Sequence, residues 1–180
     1  MIYHPWNHLK PKTRCRAFLI AAAIAVAMSA TMLRLDAPLK ERGGGIVAFE
    51  LAGDLETALA LMTNWGERGR LLAAFQLGLD YLFIVAYSVS ISLGCIVAKD
   101  WWRRRWSGPA VFGPLIAWLV VLAGLLDCVE NFALMRGLAG AVGEWWPILA
   151  FWCASIKFAL LILAIAYFVG GGIVRVMWPC

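Results

Sequence analysis

Asp127, Glu130 and Asn131 lie in a stretch that is otherwise apolar enough to cross a membrane. They are three and four positions apart, so a helix presents them on one face. Gln76, Asp80 and Tyr87 recur at spacings of four and seven in an earlier apolar stretch and share a face in the same way. A later stretch holds one ionisable residue, Lys157. Ionisable side chains in hydrocarbon are costly, face a bundle interior or a cavity, and mark a site by default. Depth brings them together. At the rise of a helix, Asp80 lies roughly 14 Å from the start of its stretch, Asp127 roughly 16 Å from the outer end of its own, and Lys157 roughly 15 Å from Pro147. Antiparallel neighbours then set all three at one level, with Glu130 and Asn131 about a turn nearer the outside.

Three carboxyls beside one ammonium in a low-dielectric interior cannot all ionise cheaply, so the cluster is expected to retain at least one proton. Such a proton-sharing acidic set suits acid–base catalysis, proton coupling or cation binding. It equally suits a structural role, since polar side chains hydrogen-bond between membrane helices for about 0.6 kcal/mol each.

The elements that position these residues follow from composition. Apolar residues make up 63% of 180 and charged residues only 15%, a balance that excludes an ordinary soluble domain. Four stretches reach the roughly 20 residues that a helix needs to span a hydrocarbon core: 17–35, 71–98, 112–138 and 147–170. The expected fold is all-α: one transmembrane domain, 1–180, built as a four-transmembrane-helix bundle. Lys10, Lys12, Arg14 and Arg16 before an apolar run also fit a signal peptide, with Ala27-Met28-Ser29 resembling a cleavage site. The segment is read here as an uncleaved start-transfer helix.

The N-terminal tail carries four Lys/Arg, and the loop with Lys99, Arg103, Arg104 and Arg105 carries four more. The alternating segments are acidic: 36–70 holds six Asp/Glu against four Lys/Arg, and 139–146 adds Glu144. The positive-inside rule therefore places both termini in the cytoplasm. Trp101, Trp102, Trp106, Trp145, Trp146 and Trp178 fall at expected interfaces. The basic, Trp-rich loop is read as touching lipid headgroups, not nucleic acid.

The external loop, 36–70, has an order of its own. Gly43-Gly44-Gly45 is a break, Asp54 an N-cap and Gly66 a stop. Between them Leu55, Ala58, Leu59, Met62 and Trp65 recur at helical spacing, which predicts an extracytoplasmic interfacial helix lying flat or capping the bundle. Glu50 joins the charge balance of the cluster if this loop folds inward.

Much enzyme chemistry is missing. His4 and His8 stand in the N-terminal tail, so no span offers imidazole for haem or zinc, and neither a metal site nor a cofactor is expected. The two histidines read as solvated. Cys15, Cys95, Cys128, Cys153 and Cys180 form no C-x-x-C pair, and Cys15 and Cys180 are weak acylation candidates. Nucleophile-elbow, phosphate-loop and dinucleotide fingerprints are absent. Asp80 and Asp127 could form the dyad of an intramembrane hydrolase. The motifs of the four-span lipoprotein signal peptidases and the G-x-G-D of other aspartyl membrane proteases are not found here.

Asp80-Tyr81-Leu82-Phe83, Asp127-Cys128-Val129-Glu130-Asn131 and Ala154-Ser155-Ile156-Lys157-Phe158 together resemble an uncharacterised type of four-span bacterial inner-membrane protein, over about residues 49–167. The resemblance implies a bacterial inner membrane and carries no activity. The leading expectation is a protein that binds a small amphipathic or lipid-like ligand at Asp80, Asp127, Glu130, Asn131, Lys157, Gln76 and Tyr87, with Lys157 holding an anionic group. The alternatives are an accessory subunit packed against partner subunits of a membrane complex, and an enzyme acting on a lipid or hydrophobic substrate through paired carboxylates.

Overall fold

A computed structural model describes residues 4–141 and 143–178. Cys180 lies outside the described residues, as does its reading as an acylation site. A bilayer leaves backbone polar groups no water to bond, so an apolar chain crosses it as helices. Among the described residues, five α-helices follow a short 3-10 turn at Pro5–His8: α1 Pro11–Lys40, α2 Ile46–Glu50, α3 Leu55–Trp102, α4 Ser107–Leu138 and α5 Trp145–Met177. The four long ones are apolar enough to span a membrane, so this is a multi-pass membrane protein built as a helical bundle. They contribute unequally to the interior. In the apolar window of α3, 61% of the residues are buried within the chain, whereas that of α1 has none fully buried and only a half-buried face.

The long α3 is interrupted where the sequence predicts a stop. Gly66 takes φ 65° and ψ −172°, a conformation open essentially to glycine alone, and divides a leading segment from the apolar one. Asp54 caps the leading segment: the Thr57 N–H donates to Oδ1 at 2.7 Å and the Thr57 hydroxyl to Oδ2 at 2.8 Å. These bonds favour the ionised Asp54 carboxyl and hold it below its ordinary range. Ala58, Leu61, Met62 and Trp65 form the buried face. Leu59, expected on it, is exposed, because the stripe centres on Trp65 and Leu59 stands well round the helix from it.

Contacts divide the chain into two compact units. One contains Met1–Ala25, Val85–Gly124 and Phe158–Cys180. Its core joins Cys95, Ile96, Ile116, Ala117, Val120 and Ala164. Small residues at positions 117 and 164 let the helices approach closely, as membrane interfaces do. The N-terminal tail is tied to this unit: Trp6 Nε1 donates to Ser92 Oγ at 3.0 Å and Lys99 Nζ to Asn7 Oδ1 at 2.7 Å. His4 is buried with its ring 4.9 Å from that of Trp118, which corrects the solvated reading, and burial lowers its pKa.

The other unit contains Val26–Ile84 and Leu125–Lys157. Its core packs Leu39, Phe49, Ala58, Trp65, Leu77, Leu134 and Trp146. Trp146, expected in an interfacial belt, is fully buried here with its ring 5.7 Å from Phe49.

Candidate functional site

Three elements of this second unit supply the charged groups: the apolar part of α3, the last turns of α4 and the first half of α5. The helical spacing of Asp127, Glu130 and Asn131 turns all three inward, and each is at least nine-tenths buried. Lys157 reaches them from α5. Its Nζ donates to Asp127 Oδ1 at 2.6 Å and to Glu130 Oε1 at 2.9 Å. The Asn131 amide donates to Asp80 Oδ2 at 2.6 Å, which ties α4 to α3. Tyr81 adds a second tie, its hydroxyl donating to the Cys128 carbonyl at 3.3 Å.

The fourth carboxyl comes from outside the spans. Glu50 is 6% exposed, and its Oε2 stands 3.6 Å from Lys157 Nζ. Three docking points bring it there. Asp36 of α1 accepts the Ile46 N–H at 2.7 Å, giving the first turn of α2 the carboxylate its free N–H groups call for. Gly45 permits this approach, since a Cβ there would sit 2.5 Å from both Asp36 oxygens. Trp65 Nε1 donates to the Gly44 carbonyl at 2.7 Å, and the fully buried Phe49 packs edge-on against Trp65. Burying one such ring is worth about 1.5–3 kcal/mol relative to water.

Glu50, Asp80, Asp127 and Glu130 thus face a single ammonium. Burial dominates at Glu50 and pushes its carboxyl up to about 7, against the opposing pull of Lys157. Hydrogen bonding within the cluster is incomplete. Among the described residues Asn131 Oδ1 has no hydrogen-bond donor, and Glu50 Oε2 and Glu130 Oε2 are buried without one unless the two neighbouring carboxyls share a proton between them. Such atoms cost about 1–3 kcal/mol each when left unmatched. All three would be satisfied by donors: protons, ammonium or hydroxyl groups.

Of the remaining residues singled out from sequence, Gln76 is buried in the same unit but its amide donates to the Met32 carbonyl at 3.4 Å, not to a carboxylate. Tyr87 is buried in the other unit, because seven residues along a helix carry it roughly 10 Å farther down the axis. The residues that sequence reasoning missed are Asp36 and Trp65, which position Glu50. Their signal was a short apolar run, Ile46–Glu50, directly after three glycines.

Two cavities of the same unit, of 540 Å³ and 380 Å³, are lined by Pro38, Arg42 and Arg68 and by Glu67, Arg70 and Met135 respectively, and the cluster lines neither. Among the described residues no group of His, Cys, Asp and Glu is arranged to hold a metal ion. No family model matches the chain, and neither the curated proteins nor the solved structures give a match.

Proposed function

We propose that this protein binds a small amphipathic ligand through hydrogen-bond donors on its head group, received at the acidic cluster with α2 as the removable cover. The observation that carries the reading is the gathering of the buried Glu50, Asp127 and Glu130 carboxyls about the Lys157 ammonium, beside an Asn131 Oδ1 that has no donor among the described residues. Lys157 was expected to hold an anionic group. Its close neighbours at 2.6, 2.9 and 3.6 Å are all carboxylates, so an anion would meet repulsion there and a cationic or hydroxylated head is favoured. Lifting α2 removes Glu50 and Phe49 together and opens a path to the carboxyls. The resemblance to four-span bacterial proteins supports an inner-membrane setting, and the charge bias of the loops supports both termini in the cytoplasm with α2 on the outer side, facing the source of the ligand.

The test compares three amphiphiles of equal chain length, an alkylamine, an alkyl glycoside and a fatty acid, by thermal stabilisation of the protein in a neutral detergent. The alkylamine is expected to stabilise the wild type and to lose that effect in Glu130→Gln. Equal stabilisation by the fatty acid, or an effect untouched by Glu130→Gln, contradicts the reading.

A second reading, an accessory subunit, is favoured by one observation: no residue in the apolar window of α1 is fully buried within the chain. Co-purification of a stoichiometric partner that is lost on replacing exposed Leu19, Ile20 and Ile24 with alanine would support it. The enzyme reading has less behind it, since Asp80 and Asp127 are each engaged by a side-chain nitrogen.

A further inference from the structure

The unit built on the chain's N-terminal tail holds a cavity of 300 Å³ that no residue of the acidic cluster lines. Lys12, Arg14, Arg104 and Arg175 line it, and Asp100 is the one acidic residue among them. The wall includes Trp101, whose ring lies 5.1 Å from the Arg175 guanidinium. Arg14 is 6% exposed and rigidly held. Its Nη1 donates to Asp100 at 2.7 Å and its Nη2 to the Leu9 carbonyl at 3.0 Å. The buried Nε–H has no acceptor among the described residues.

We infer that this cavity is a binding site for a phosphate-bearing anion, with a phospholipid headgroup or a soluble phosphate ester as its source. The described lining residues carry more cationic than acidic side chains, a balance that favours an anion. Guanidinium forks match phosphate oxygens in geometry as well as charge. The setting suits a headgroup, because Trp101 lines the cavity at the end of α3, where interfacial aromatics collect, and basic pockets between membrane helices hold anionic lipids. The Asp100 carboxylate has a defined part: it orients Arg14 while leaving Nε unspent.

The experiment titrates the purified full-length protein in neutral detergent with phosphatidylglycerol, phosphatidylcholine and inorganic phosphate, reading bound species by native mass spectrometry. Two double variants of equal charge loss are compared: Arg104→Gln with Arg175→Gln, which strips the cavity, and Arg16→Gln with Arg103→Gln, which does not touch its lining. The cavity pair is expected to weaken phosphatidylglycerol binding about tenfold or more while the control pair stays within about twofold. Phosphatidylcholine is expected to bind weakly to all forms. Inorganic phosphate that displaces the lipid, with the same dependence on the cavity pair, identifies a soluble phosphate ester as the ligand. Failure to displace it identifies the headgroup. Equal losses in both pairs would reduce the effect to a diffuse basic surface and overturn the inference, as would binding indifferent to either pair.

Discussion

Replacing Lys157 with methionine removes the only ammonium in contact with three carboxylates while keeping most of the side-chain volume. At 2.6 and 2.9 Å, two of these contacts are charge-assisted hydrogen bonds, and the third, to Glu50 at 3.6 Å, is an ion pair without one. Removing one partner from a buried ion pair costs about 3–5 kcal/mol, chiefly because charge is left unmatched in a low-dielectric interior. That is a large part of the margin of about 5–15 kcal/mol that holds a typical domain folded. The cost comes from orphaned carboxylates, not from lost packing, so the triple variant Lys157→Met, Asp127→Asn, Glu130→Gln should recover most of it. Reversible unfolding of the detergent-solubilised protein, with wild type and both variants side by side, measures the difference. A loss below about 1 kcal/mol for the single variant would refute the reasoning. So would a triple variant no more stable than the single one, since the damage would then lie in packing.

The Glu50 carboxyl is held at about 7 in the folded protein against an ordinary value of 4.5, so folding favours its protonated form. Its stabilising contribution is complete below pH 4.5 and lost as pH rises through 7, an upper bound of about 3 kcal/mol on the docking of α2. Hydrogen exchange of residues 46–51, corrected for intrinsic rates, should therefore show less protection at pH 8 than at pH 5, and Glu50→Gln should flatten the profile. Gly45→Ala drives a methyl into the Asp36 carboxylate and is expected to cost about 1–3 kcal/mol, read as faster exchange confined to α2 and its flanks. Gly66→Ala meets no neighbour within 4 Å, so its expected loss of about 1–3 kcal/mol is backbone strain alone. Helical Gly78, equally open, should accept alanine with no loss, and matching losses at both positions would contradict the assignment of the break to Gly66.

Local features were legible in the chain. The spans announce themselves through uninterrupted apolarity, Asp54 and Gly66 through the conformations their side chains permit. Asp80, Asp127, Asn131 and Lys157 meet because depth along a helix is a matter of counting residues. What counting cannot supply is tertiary docking. Glu50 enters the cluster because Asp36, ten residues earlier, accepts the Ile46 N–H and Trp65 holds the Gly44 carbonyl, and neither bond leaves a periodic trace. Trp146 and His4 were misread for the same reason. Tryptophan near a span end and histidine in a tail fit an interface and solvent until Phe49 and Trp118 prove to be packed against them. Tyr87 falls in the other unit, since a shared helical face is not a shared depth.

The account turns on whether the acidic cluster beneath α2 holds a ligand. Native mass spectrometry of gently solubilised protein, wild type beside the double variant Glu50→Gln, Glu130→Gln, asks this directly. The account predicts a retained small molecule on the wild type whose occupancy falls about tenfold in the variant, with both proteins folded. Bare wild-type protein, or a bound species indifferent to the two substitutions, would contradict it.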